Sequence, residues 1–244
     1  MIQFENTEVF NFEGAFRGMR NPMNSWDKSD SHIHTCDCSE CPHFLTDCTD
    51  DHKFTGGSCF YLGDNDLALA QRLIKAGSDH RKFLRQIFVS VDITAPLYWW
   101  KEFDTYKVAT VANSCSTMHK IHEKEFTLDD FSHEHLTDKW TDETELVAYN
   151  SEYSNAPRDV LEFIIEALNV YRTRYIQTGD KKYWWDMIQI LPTSYNQRRT
   201  VTLNYETLRN IYGSRNNHKL PEWRVEFMSW IHELPYAEEL ITYC

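Results

Sequence analysis

The stretch Lys107–Thr117 (KVATVANSCST) gathers an ammonium, several hydroxyls and a thiol. Lys107, Ser114, Ser116 and Thr117, together with loop amides, make a workable phosphate cage in which Lys acts as a point charge. The same residues read equally well as an exposed Ser/Thr-rich turn. Cys115 can be a nucleophile, but no base stands near it in sequence, so a packed thiol is the competing reading. Further along, Asn204 and Asn210 can read an amide-bearing ring edge, because Asn both donates and accepts. Their plainer roles are a helix cap for Asn204 and a solvated face for Asn210. Arg215 closes the segment TLRNIYGSR. Its planar fork can stabilise charge on a ring carbonyl, or it can simply complement a helix dipole.

A second group of reactive residues is Cys36-x-Cys38-x2-Cys41-x6-Cys48, with His32, His34, His43 and His52 nearby. Zinc takes four Cys or His ligands, which makes this density a candidate zinc site. The CxC spacing departs from paired CxxC knuckles, so a reduced thiol loop is the alternative. Trp99-Trp100 and Trp184-Trp185 can stack on a planar ligand, but such pairs more often belong to a core.

These residues need elements to hold them. The chain has 244 residues, enough for a sizeable core, and its Gly and Pro contents of 8 and 7 argue against a turn-rich sandwich. A net charge of −12 argues against a general nucleic-acid binder but leaves room for a small anionic ligand. No apolar run is long enough to span a membrane, and the N-terminus lacks a secretory pattern, so a cytoplasmic location is expected. The odd cysteine count of 7 fits thiols or metal ligands better than a disulfide framework.

Val9, Phe10 and Phe12 predict an opening strand. DLALAQRLIKAG predicts a helix capped by Asp64 or Asn65, with Leu67, Ala70, Leu73 and Ile74 on one face and Gly77 at its end. QIFVSVDIT alternates as a buried strand. Ala95 and Pro96 open the next helix, which leads into the NSCST loop. From Pro157, Val160, Ile164, Ala167, Leu168, Tyr171 and Tyr175 share a helix face that ends at Gly179. KKYWWDMIQIL is a helix, QRRTVTLN a strand, and YETLRNIYGSR and PEWRVEFMSWIHEL are helices. The mixture predicts an α+β fold. A Cys/His-rich insert at about 31–60 interrupts what is expected to be a single domain over 1–244.

In this order the chain resembles the flavin-dependent thymidylate synthases. In that family an apolar strand runs into APxxxxRQxxRHRxxSxNExSxR; here it runs into Ala95-Pro96, with Lys101-Glu102 in place of Arg-Gln. Leu191-Pro192, then Asn204, Leu208, Asn210 and Arg215, follow the family's LP and N-x-x-x-L-x-N/H-x-x-x-x-R, and Pro221-Glu222-Trp223-Arg224 follow them. AFRGMRNPMNSW is similar to the family's A-R-x-S segment. The signature itself departs. Arg-His-Arg becomes Thr105, Tyr106 and Lys107; Ser becomes Thr110; Asn-Glu becomes Ala112-Asn113; the second Ser becomes Cys115; and the closing Arg becomes Thr117.

The resemblance implies a central antiparallel sheet flanked by helices and sites built between subunits of a homotetramer. It implies FAD as cofactor, NADPH or another reductant, and methylation of dUMP to dTMP with methylene-tetrahydrofolate. Arg215 takes the catalytic position. Glu102, Lys107, Asn113, Ser114, Cys115, Ser116, Thr117 and Arg198 take the substrate positions. Gln86, Thr105, Tyr106, Lys107, Asn204 and Asn210 take the cofactor positions. Two other expectations stand beside this one: a diverged member with a changed reaction in a kept pocket, and a non-catalytic scaffold organised by the Cys-rich insert.

Overall fold

The computed structural model describes residues 2–35, 58–137 and 156–244. Strand β1 (Gln3–Phe10) is followed by α1 (Phe12–Arg20). Phe12 therefore opens a helix instead of continuing a strand, because Asn11 adopts a left-handed conformation (φ 73°) that turns the chain. Strands β2 (His32–Thr35) and β3 (Ser58–Tyr61) pair antiparallel, with Ile33 opposite Phe60. Helix α2 is Asp64–Lys75. Its cap is neither Asp64 nor Asn65. Gly63 occupies the cap position, and Asp30 accepts from the Asn65 and Asp66 amides at 2.9 and 3.1 Å. A Cβ on Gly63 would lie 2.7 Å from the Asp30 backbone, so this approach requires glycine.

Strand β4 (Phe88–Pro96) buries Val89, Val91, Ile93 and Ala95 completely, as its alternation predicts. Ala95 and Pro96 end this strand, and α3 (Leu97–Phe103) begins just after them. Then come β5 (Val111–Ser114), α4 (Thr117–Lys120), α5 (Pro157–Thr178), α6 (Lys181–Ile190), β6 (Asn196–Asn204), α7 (Tyr205–Arg215) and α8 (Met228–His232). Glu222–Phe227 forms a π-helical turn into α8. A four-stranded sheet has the order β1-β4-β6-β5. The fold is α+β.

The chain groups into two compact units, whose division points fall inside β4, α3, β5 and β6. The first holds Thr94–Glu102 and Ser114–Arg198. Its core packs Leu161, Ile165 and Leu168 of α5 against Phe126, Phe131 and Met187, with Tyr171 and Tyr175 at the margin. Val160, expected on that face, points to solvent instead. Gly179 caps α5 at φ 66°, as its position predicts. Trp99 and Trp100 are fully buried, and the Trp100 indole donates to the Gln197 carbonyl at 2.9 Å. They are core residues.

The second unit holds 2–93, 103–113 and 199–244. Its aromatic core stacks Phe12 on Phe60 and joins Phe103, Trp223 and Phe227. No helix among the described residues is long and apolar enough to cross a membrane. Cys36, Cys38, Cys41 and Cys48 lie outside the described residues. Among those described, no cluster of His, Cys, Asp or Glu could hold a metal.

Candidate functional site

The second unit contains a cavity of about 510 Å³. Its lining includes Thr105, Tyr106, Lys107, Asn204 and Asn210, which are all the expected cofactor residues except Gln86. Residues distant in sequence meet here because α7 starts where β6 ends, and the 104–110 turn lies against that start. The Thr207 hydroxyl lies 3.3 Å from the Val108 carbonyl, which shares the hydroxyl's single proton with Asn204 Oδ1. Ala109 next to it is held at φ 60°, a conformation that costs an L-residue roughly 1 kcal/mol. The tie to α7 helps keep the turn in this shape and leaves Lys107 exposed at the cavity.

Asn204 is the N-cap of α7. Its Oδ1 accepts from the Thr207 amide at 2.9 Å and the Thr207 hydroxyl at 3.1 Å. The capping reading therefore holds, and the Asn204 amide nitrogen takes no part in the cap. Gln86 does not line the cavity. Its side chain packs on α1, where a Cβ at Gly18 would come within 2.7 Å of Gln86 Oε1.

Arg81, Arg85 and Glu206 line the cavity too, and residue-by-residue reading of the sequence missed them. The Arg81 Nε donates to both Glu206 oxygens, at 3.2 and 2.9 Å, and Arg85 Nη2 donates to the Ser78 carbonyl at 3.3 Å. Burial, and next the Arg81 charge, push the Arg209 guanidinium below its ordinary value, while Cys244 and then Glu206 pull it back. Arg209 itself is anchored on the Ile241 and Tyr243 carbonyls. The available signal was the basic run His80–Arg85 directly before a buried strand, unusual in so acidic a chain.

Arg215 is not among the residues lining the cavity. Its Nε donates to the Tyr106 hydroxyl at 2.8 Å, and its guanidinium lies 5.2 Å from the centre of the Trp223 ring. It touches the cavity through Tyr106, which lines it.

The expected substrate residues fall in both units. Lys107 and Asn113 belong to the second, and Asn113 is exposed on β5. Glu102, Ser114, Cys115, Ser116, Thr117 and Arg198 belong to the first. There the Cys115 amide donates to the Arg198 carbonyl at 2.9 Å, and Gln197 Nε2 donates to the Cys115 carbonyl at 2.8 Å. Only Cys115 and Ser116 of the NSCST stretch form a connecting loop, between β5 and α4. Asn113 and Ser114 end β5, and Ser116 is the N-cap of α4, accepting from the His119 amide at 3.0 Å. Cys115 is exposed, not packed.

No family model matches the sequence, and no curated protein matches it. Among solved structures, the chain shares its fold with flavin-dependent thymidylate synthases. One is thymidylate synthase X (ThyX) from Helicobacter pylori with FAD and dUMP. It has a TM-score of 0.60 and 15% identity, covering 98% of this chain and 96% of that chain. A second structure of the same Helicobacter pylori enzyme, complexed with FAD and dUMP, also gives 0.60 and 15%, covering 98% and 97%. At this identity the likeness establishes the fold.

Proposed function

We propose that this chain is a flavin-dependent thymidylate synthase-like enzyme that holds FAD in the second unit's cavity and methylates dUMP to dTMP. Methylene-tetrahydrofolate would be the carbon donor and NADPH or another reductant the electron source. The observation that carries the reading is the convergence of Thr105, Tyr106, Lys107, Asn204 and Asn210 on one cavity. These positions are scattered along the chain, and the resemblance assigns all of them to the cofactor. The Helicobacter pylori structures of the same fold contain FAD and dUMP, which supports the same reading.

The cavity suits the chemistry of FAD. Its size lies within the few-hundred to 1,000 Å³ typical of ligand pockets, roughly. Arg81, Arg85 and Lys107 offer charge-assisted bonds to a diphosphate. The Asn204 amide nitrogen and Asn210 can meet a heterocycle edge, and the Tyr106 ring offers it a face. Once bound, the flavin would supply hydride. The protein's own part is to hold the ring, neutralise the phosphates through Arg81, Arg85 and Lys107, and fix the 104–110 turn through Thr207.

One observation favours a second reading, a kept pocket with a changed reaction. Arg215 is hydrogen-bonded to Tyr106 and stacked on Trp223, whereas polarising a pyrimidine carbonyl needs its fork directed at the ring. Two measurements separate these readings. Titration with FAD, followed by its visible absorption, tests the cavity; conversion of dUMP to dTMP with methylene-tetrahydrofolate, FAD and a reductant tests the reaction. Binding with turnover supports the first reading, and binding without turnover the second. Absence of FAD and dUMP binding removes both and leaves the scaffold.

A further inference from the structure

Tyr106 lines the second unit's cavity, and its hydroxyl is bonded to a cation that does not line it. The phenol oxygen accepts from Arg215 Nε at 2.8 Å. The Arg215 guanidinium also lies 5.6 Å from the centre of the Tyr106 ring and 5.2 Å from that of Trp223. Trp223 is fully buried and stacks on Phe103, whose carbonyl accepts from the Tyr106 amide at 2.9 Å. One aromatic cluster thus fixes both partners of the hydrogen bond. Arg215, the last residue of α7, reaches from that helix end to the 104–110 turn.

A phenol has one proton and two lone pairs. Arg215 engages a lone pair, so the proton turns away from the guanidinium and the O–H is polarised by a cation. Among the described residues the Tyr106 hydroxyl donates to no acceptor. Resting on the flavin reading of this cavity, we propose that the Tyr106 O–H is the hydrogen-bond donor to the reduced ring system and that Arg215 is its positioning residue. Two electrons and one proton, supplied by NADPH or another reductant, convert the isoalloxazine to its anionic reduced form. The added charge lies on N1 and the neighbouring C2 carbonyl. A hydrogen bond to a charged acceptor is about twice as strong as one to a neutral acceptor. The pair therefore holds reduced flavin more tightly than oxidised flavin.

This gives Arg215 a role at a distance. With its Nε on Tyr106, one edge of its fork is taken, and it is not among the residues that line the cavity. Arg81, Arg85 and Lys107 carry full charges in the same space and attract phosphates in either redox state. A phenol donates without a net charge. Its preference follows where charge appears on the ring, not the total charge of the ligand.

The test uses the purified full chain without dUMP or folate. Affinity for oxidised FAD is read from its visible absorption, and the reduction potential of bound FAD from equilibration with a reference dye. Circular dichroism checks the fold of each variant. Tyr106→Phe keeps the ring and its packing and removes only the O–H, so it decides the donor's role whatever Arg215→Ala does to stability. It should leave the affinity for oxidised FAD within about threefold. The preference for reduced over oxidised FAD should fall about tenfold, which lowers the potential by about 30 mV for a two-electron couple. Arg215→Ala should lower that preference a few-fold and should add nothing in the Tyr106→Phe background, because it acts through the hydroxyl. A potential unchanged by Tyr106→Phe, or single effects that add in the double variant, would overturn the inference and leave the flavin reading standing. A wild-type chain that binds no oxidised FAD would remove both together.

Discussion

Two arginine–carboxylate pairs in the second unit differ in what surrounds them. Arg20 and Asp66 meet at 2.6 Å with side chains 4% and 0% exposed. Asp66 also accepts from the Ser29 hydroxyl and the Asp30 and Ser31 amides, so its charge is enclosed and fully bonded. Arg81 and Glu206 meet at 2.9 Å at the edge of the cavity. Here the cations outnumber the anion, since Arg85 and Lys107 line the same space. The first pair consumes its hydrogen-bonding capacity on the fold, while the second leaves an excess of positive charge where a ligand can enter. A buried pair is a poor sign of function when every lone pair is used. An incompletely balanced pair beside a cavity is a better one.

The comparison can be broken most directly at Asp66. Burial alone would raise its carboxyl, but hydrogen bonds from Ser31, Ser29 and Arg20 outweigh that and hold it below its ordinary 3.8. Its stabilising contribution is therefore complete above that value and is lost as the pH falls through the lower folded value. Asp66→Asn should cost about 3–5 kcal/mol in urea unfolding at neutral pH, because it strands a buried guanidinium. The deficit relative to wild type should shrink in strong acid, with FAD affinity in the folded fraction unchanged.

Glu206→Gln should cost less stability, about 2 kcal/mol, as Arg81 loses its charged partner at a partly open site. It should tighten binding of anionic ligands several-fold, since the cavity gains net positive charge. Titration with FAD checks this, and weaker binding would remove the anion-attracting role of the cavity. At Asn204 the two functions separate. Asn204→Ala should lose about 1 kcal/mol of cap energy, whereas Asn204→Asp should keep the cap and still weaken FAD binding. Equal FAD affinity in Asn204→Asp and wild type would confine Asn204 to capping. Arg85→Ala should change stability by no more than about 0.5 kcal/mol yet weaken FAD about tenfold. Unchanged affinity there would place the phosphates elsewhere.

Much of the fold was legible because its signals are local. The β4 alternation, the Gly179 stop after α5 and the core positions of Trp99 and Trp100 all follow from neighbouring residues. Failures arose where a distant residue intervened. Asp30 caps α2 from over thirty positions away, so no reading of Asp64 or Asn65 could find it. Val160 satisfies the helical period on a helix with two apolar stripes, and periodicity alone does not say which one faces the core. Of the residues that the family register names for a cofactor, Thr105 to Lys107, Asn204 and Asn210 line the cavity. Arg81 and Arg85 lay outside any motif, because the resemblance gives their positions no role and a basic run is ordinarily a solvated face. Arg215 shows the opposite limit. Its position was legible, but its partners Tyr106 and Trp223 were not.

The division points inside β4, α3, β5 and β6 bear on how the chain is made. Asp92 and Thr200 are bonded across β4 and β6 although 108 residues separate them. The second unit needs 2–93, 103–113 and 199–244 together. While the ribosome is still adding residues before 199, β4 has emerged with Val89, Val91 and Ile93 but without β6 to pair with. Closing so long a loop is slow, and an unpaired apolar strand is prone to aggregate in the interval. Translation speed through the codons for residues 199–244, and chaperone occupancy of the nascent chain before them, should therefore govern yield more than changes in the codons for β1.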